Sequence, residues 1–151
     1  MEEHFKEYYG ALEKFGITFE DVYNMDETGF RIGVLNRKIV ITHLQTKAVY
    51  LADLDNRESL IAIETVCGDG IAIAPFLILK GDVLKEDHFK NDLNDETILA
   101  TSASGYTNEQ LSMKYIKHFH NQMWKKTKGK WRMLIFDGYS FYTFNEFLYY
   151  C

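Results

Sequence analysis

Asp26, in Tyr-Asn-Met-Asp-Glu-Thr-Gly-Phe, and Asp137, in Met-Leu-Ile-Phe-Asp-Gly-Tyr, sit in strand-like surroundings far apart in the chain. Carboxylates offer hard anionic oxygens. Two of them side by side on neighbouring strands make a seat for Mg2+ or Mn2+ against a phosphodiester. A plainer reading stands beside this one: an Asp before Gly at the end of a strand often serves a turn, and Asp26 could simply accept hydrogen bonds from Thr28 or the backbone.

Side-chain alternation constrains the first of these sites. A strand over Val22 to Phe30 sends Tyr23, Met25 and Glu27 to one face and Asn24, Asp26 and Thr28 to the other. Asp26 and Glu27 cannot then hold the same ion unless the strand is bulged there. The remaining chemistry-bearing residues offer less. His4, His43, His88, His118 and His120 lack zinc-ligand spacing, and His118 and His120, two apart, fall on different sides of a helix. Cys67 reads as a small buried hydrophobe and Cys151 as a terminal thiol. Lys125, Lys126, Lys128, Lys130 and Arg132 could touch DNA phosphates or simply form a solvated helix end, and Trp124 and Trp131 beside them read as packing.

Several elements must position the two aspartates. Phe5, Tyr8, Tyr9, Leu12 and Phe15 recur at helical spacing before Gly16, which predicts a leading helix or linker over residues 1–21 and a domain over 22–151. Short strands are expected at Lys38 to His43 and Ala48 to Tyr50, followed by a charged turn from Asp53 to Glu58. Ser59 to Cys67 and Ile71 to Leu79, joined by Gly68-Asp69-Gly70, predict a largely buried antiparallel hairpin. Lys80 to Ser104 is polar, with one short strand near Thr97 to Thr101. Thr107-Asn108-Glu109-Gln110 has capping-box spacing, and Leu111, Tyr115, Phe119 and Met123 line one face of a helix from about Asn108 to Lys126, with Gly129 as its stop. Trp131 to Phe136 reads as a strand buried on both faces, ending at Asp137-Gly138, and Thr143 with Glu146 suggests a second capping box. An aspartate on the first strand and another at the end of the strand after a helix is the ribonuclease H-like arrangement: an α/β fold with a mixed sheet and flanking helices, here incomplete at the C-terminus.

Composition bounds the function class. The chain has 151 residues, 46% of them apolar, and a single proline, enough for one compact domain with a sizeable core. A formal charge of −5 argues against gripping DNA by bulk electrostatics, although a carboxylate site is acidic by construction. Two cysteines, no signal peptide and no apolar run near the roughly 18 residues of a membrane span predict a soluble, reduced, intracellular protein with no membrane partner.

Asn24-Met25-Asp26-Glu27-Thr28-Gly29-Phe30, Leu51-Ala52-Asp53 with Asn56-Arg57-Glu58-Ser59, Pro75-Phe76-Leu77-Ile78-Leu79-Lys80-Gly81, Ser104-Gly105-Tyr106-Thr107-Asn108 and Asp137-Gly138 resemble, in order, the DDE superfamily endonuclease domain of pogo and Tigger type transposases. The resemblance implies Asp26 and Asp137 as catalytic metal ligands, Mg2+ or Mn2+ as cofactor, DNA and other transposase subunits as partners, no small-molecule substrate, and a nuclear location. The third acid of that family has no counterpart before Cys151, and Tyr139 and Tyr142 stand where the family has histidines. The helix-turn-helix modules that precede the family's core are also missing from the sequence. These departures predict a transposase-derived fragment inactive alone, or a non-catalytic DNA- or protein-binding module, or a relic without function.

Overall fold

The computed structural model describes residues 2–32, 58–89, 92–137 and 142–151. Helix α1 (Glu2–Phe15) ends at Gly16, whose φ of 63° lets the chain reverse. A 3-10 turn over Phe19–Asp21 leads into β1 (Val22–Ile32), and β2 (Glu58–Cys67), β3 (Phe76–Lys80) and β4 (Ile98–Ser102) follow. Helix α2 (Glu109–Met123), strand β5 (Met133–Ile135) and helix α3 (Asn145–Tyr150) complete the described elements. The strands form one mixed five-stranded sheet in the order β4-β3-β2-β1-β5. Neighbours run antiparallel at β1/β2 and β2/β3 and parallel at β3/β4 and β1/β5. The α/β architecture with a mixed sheet and flanking helices is therefore present. The strands expected at Lys38 to His43 and Ala48 to Tyr50 lie outside the described residues.

The core lies between one face of the sheet and α2. Alternation holds in β1 as read, with Tyr23 and Met25 buried and Asn24 and Asp26 exposed. They meet Ile63 and Cys67 of β2, Phe76 and Ile78 of β3, and the expected helical stripe of Leu111, Tyr115, Phe119 and Met123. Tyr23 stacks edge-on to Phe119 at 5.1 Å, an arrangement that sets a positive ring edge against a negative ring face. The buried Thr65 and Tyr115 hydroxyls share a hydrogen bond of 2.8 Å, so neither is stranded without water. Tyr142 and Phe147 close the same cluster, both fully buried.

Several elements depart from expectation for local reasons. The hairpin turn at Gly68-Asp69-Gly70 forms, with Cys67 N–H donating to Ile71 O at 2.8 Å, but continuous pairing in β3 begins only at Phe76. Val66 and Ala72 make one isolated bridge in a register one residue out of step with the Ile63–Phe76 ladder, and Pro75 has no N–H to donate between them. Helix α2 is capped by Asn108, whose Oδ1 accepts from Leu111 N at 3.0 Å, and not by Thr107. It stops at Met123, short of Lys126. Helix α3 likewise opens from Phe144 instead of a Thr143 capping box. Strand β5 is three residues long and half-buried throughout, because among the described residues it has a single neighbour, β1.

Candidate functional site: the Asp26 and Asp137 cleft

Parallel pairing decides where the two aspartates go. Val22 lies opposite Met133, Tyr23 opposite Leu134 and Asn24 opposite Ile135. Continued for two more residues, the same offset sets Asp26 opposite Asp137, on strands about 4.8 Å apart. Both line one open cleft of about 180 Å3 with Glu27, Tyr106 and Thr107. The cleft thus sits just past the carboxyl end of β5, beside the middle of β1 and near the entry to α2.

The two faces of β1 give its neighbouring acids different surroundings. Asp26 is solvent-exposed, and its Oδ1 accepts a hydrogen bond from the Glu27 backbone N–H at 2.9 Å. Glu27 lies on the core side, opposite Ile63 of β2, and its Oε1 accepts the hydroxyl proton of the buried Tyr142. Burial is the main force raising the Tyr142 pKa far above the ordinary tyrosine value, and the Glu27 carboxylate adds to it. Thr107 is buried in the cleft wall. Its Oγ1 lies near enough to Tyr142 to offset part of that rise without meeting hydrogen-bond geometry.

Two hard carboxylates on adjacent strands fit a divalent cation such as Mg2+, which commonly takes one or two carboxylates and keeps waters or substrate oxygens in its other positions. No cluster of three or more His, Cys, Asp or Glu suited to a metal occurs among the described residues. Glu27, which lines the same cleft, has its carboxylate engaged by the Tyr142 hydroxyl. His118 has a structural use: it is buried, with Nε2 2.7 Å from Ala74 O. His120, two residues on, is exposed on the other side of α2 as expected.

A polar tie that the sequence reading missed fixes the opposite end of the sheet. Asp21 is fully buried, and its carboxylate accepts from Lys128 N at 2.9 Å and from Gly129 N at 2.6 Å. Gly129 is therefore an anchor point for the loop before β5, not a helix stop. Lys125, Lys126, Lys128 and Lys130 are all exposed around this anchor. Cys67 is buried beside the Glu20 carbonyl at 3.3 Å, and burial pushes its thiol pKa up, as suits an unreactive core residue.

No family model matches the chain, and no solved structure matches it. A stretch of 127 residues, 83% of the chain, is 30% identical to a protein of Cochliobolus lunatus named MFS-type transporter clz9. The matched stretch spans 14% of that relative's length. These findings overturn the resemblance to pogo and Tigger type transposases and the DDE endonuclease vocabulary that came with it. The strings that suggested it, such as Asp26-Glu27-Thr28-Gly29 and Pro75-Phe76-Leu77-Ile78, fall in β1 and at the start of β3. No helix among the described residues is long and apolar enough to cross a membrane.

Proposed function

We propose that the Asp26 and Asp137 cleft binds one divalent cation, Mg2+ or Mn2+, and through it engages a phosphodiester of DNA without cleaving it. One observation carries this reading: the β1/β5 register sets the two carboxylates opposite each other, Asp26 within β1 and Asp137 just past the end of the parallel β5. A bound cation would supply positive charge for a phosphate oxygen. The protein's own part is to hold Asp26 and Asp137 at a fixed spacing and to wall the cleft with Tyr106 and Thr107. The exposed Lys125, Lys126, Lys128 and Lys130, around Asp21 at the other end of the sheet, offer contacts to phosphates further along the DNA, and a nuclear site of action accompanies a DNA partner. Strands β2 and β5 flanking β1, one antiparallel and one parallel, support the finer ribonuclease H-like reading of the sheet.

Glu27, the third carboxylate lining the cleft, is engaged by the Tyr142 hydroxyl, which favours binding over strand scission. Titration with Mn2+, followed by its electron paramagnetic resonance signal, tests the cation site. Asp26→Asn and Asp137→Asn should each weaken binding by about tenfold or more, since each removes one anionic ligand. Equal binding by the wild type and both variants would place the cation elsewhere. Supercoiled plasmid should stay intact with the chain and Mg2+; nicking lost in Asp26→Asn would show that the site cleaves.

A further inference from the structure

A second opening lies on the far side of β5 from β1, where α2, β5 and α3 converge. It is a groove of about 300 Å3, lined by Phe119, Trp131, Leu148, Tyr150 and the cationic Lys130 and Arg132 among others. Its size is at the lower end of small-molecule sites, roughly 300–1,000 Å3. No acidic side chain is among its described lining residues. The Arg132 guanidinium lies over the Phe119 ring at 5.6 Å, and its Nη2 donates to His120 Nδ1 at 3.0 Å. Arg132 Nη1 is buried and has no hydrogen-bond partner among the described residues. A guanidinium is always charged and needs its donors met, so an unsatisfied N–H on a side chain that lines the groove leaves this cation open to a further acceptor.

We propose that this groove binds a small organic anion with a planar apolar body. Its acidic oxygens pair with the Arg132 guanidinium, with Lys130 adding charge at the rim, and its flat body lies among Phe119, Trp131 and Tyr150. The aromatic walls favour a flat ligand, and the excess of positive charge favours an anion over its neutral isostere. The site is separate from the Asp26 and Asp137 cleft, with which it shares no lining residue.

Quenching of Trp131 fluorescence by 1-naphthoate tests the proposal, with 1-naphthamide as the uncharged control and Trp124→Phe as the background. The acid should bind about tenfold or more tightly than the amide, the usual yield of a hydrogen bond to a charged group. Arg132→Met should abolish that preference, Arg132→Lys should keep part of it, and Leu148→Trp should block both probes by filling the groove. Circular dichroism of each variant separates loss of the site from loss of the fold. Equal binding of acid and amide, no quenching at millimolar probe, or a preference unchanged in folded Arg132→Met would overturn the assignment.

Discussion

Glu27 and Tyr142 show how much a single pair can decide near the cleft. Alternation along β1 sends Glu27 to the core side, where a carboxylate needs a donor, and the Tyr142 hydroxyl supplies it from the segment leading into α3. Removing that hydroxyl in Tyr142→Phe leaves the ring in place and a half-buried carboxylate short of one donor. Stability should fall by about 1–2 kcal/mol, measured by urea unfolding at neutral pH. Glu27→Gln keeps an acceptor oxygen for the same hydroxyl and should cost less. A larger loss in Glu27→Gln than in Tyr142→Phe would show that the carboxylate's charge, not the shared hydrogen bond, is what the site uses. Alternation alone revealed that Asp26 and Glu27 diverge. The partner of Glu27 was not legible, because Tyr142 is 115 positions away and reaches it only through the tertiary fold.

At the scale of elements, legibility followed the range of the interaction that fixes each one. Helix α2 was readable because its stripe of Leu111, Tyr115, Phe119 and Met123 repeats at short range, and β1 because its alternation does. Strand β5 was misread as buried on both faces, since a run of apolar residues reports composition and not the number of neighbouring strands. The cap of α2 was displaced by one residue: Thr107 fits the pattern, but Asn108 has the extended backbone that lets its side chain reach Leu111 N. Asn108→Ala should destabilise the protein by about 1 kcal/mol in urea unfolding, whereas an unchanged midpoint would assign the cap no energetic role. Asp21 carries more. It holds the loop before β5 across 107 positions by charge-assisted bonds to backbone N–H groups. Asp21→Ala should cost about 2–4 kcal/mol by stranding those donors, and Asp21→Asn less, since its amide oxygen can still accept. Because that loop sets where β5 starts, Asp21→Ala should also weaken Mn2+ binding at Asp137. Unchanged Mn2+ affinity in a folded variant would uncouple the two ends of the strand.

For the molecule as a whole, one sheet face and α2 share a core that holds three hydroxyl-bearing rings, and this ties its stability to alkaline pH. Tyr23, Tyr115 and Tyr142 are all almost wholly buried within it. Burial is the first cause of a raised pKa in each, to about 12 for Tyr23 and higher still for the other two. An unfolded tyrosine releases its proton near pH 10. Below that pH both states hold the proton and the contribution is intact. Above it the unfolded chain sheds protons that the native core retains, so stability falls as pH rises from about 10, through about 12 for Tyr23. Cys67, also raised by burial, begins the same trend from the ordinary thiol range. Each coupled group contributes a slope of up to about 1.4 kcal/mol per pH unit. Urea unfolding at pH 8, 9, 10 and 11 should therefore show the wild type losing stability faster above pH 10 than Tyr142→Phe, with the two curves parallel below it. Parallel curves across the whole range would mean that Tyr142 ionises as easily in the folded protein as in the unfolded one, and that it is not as sealed as its zero exposure indicates.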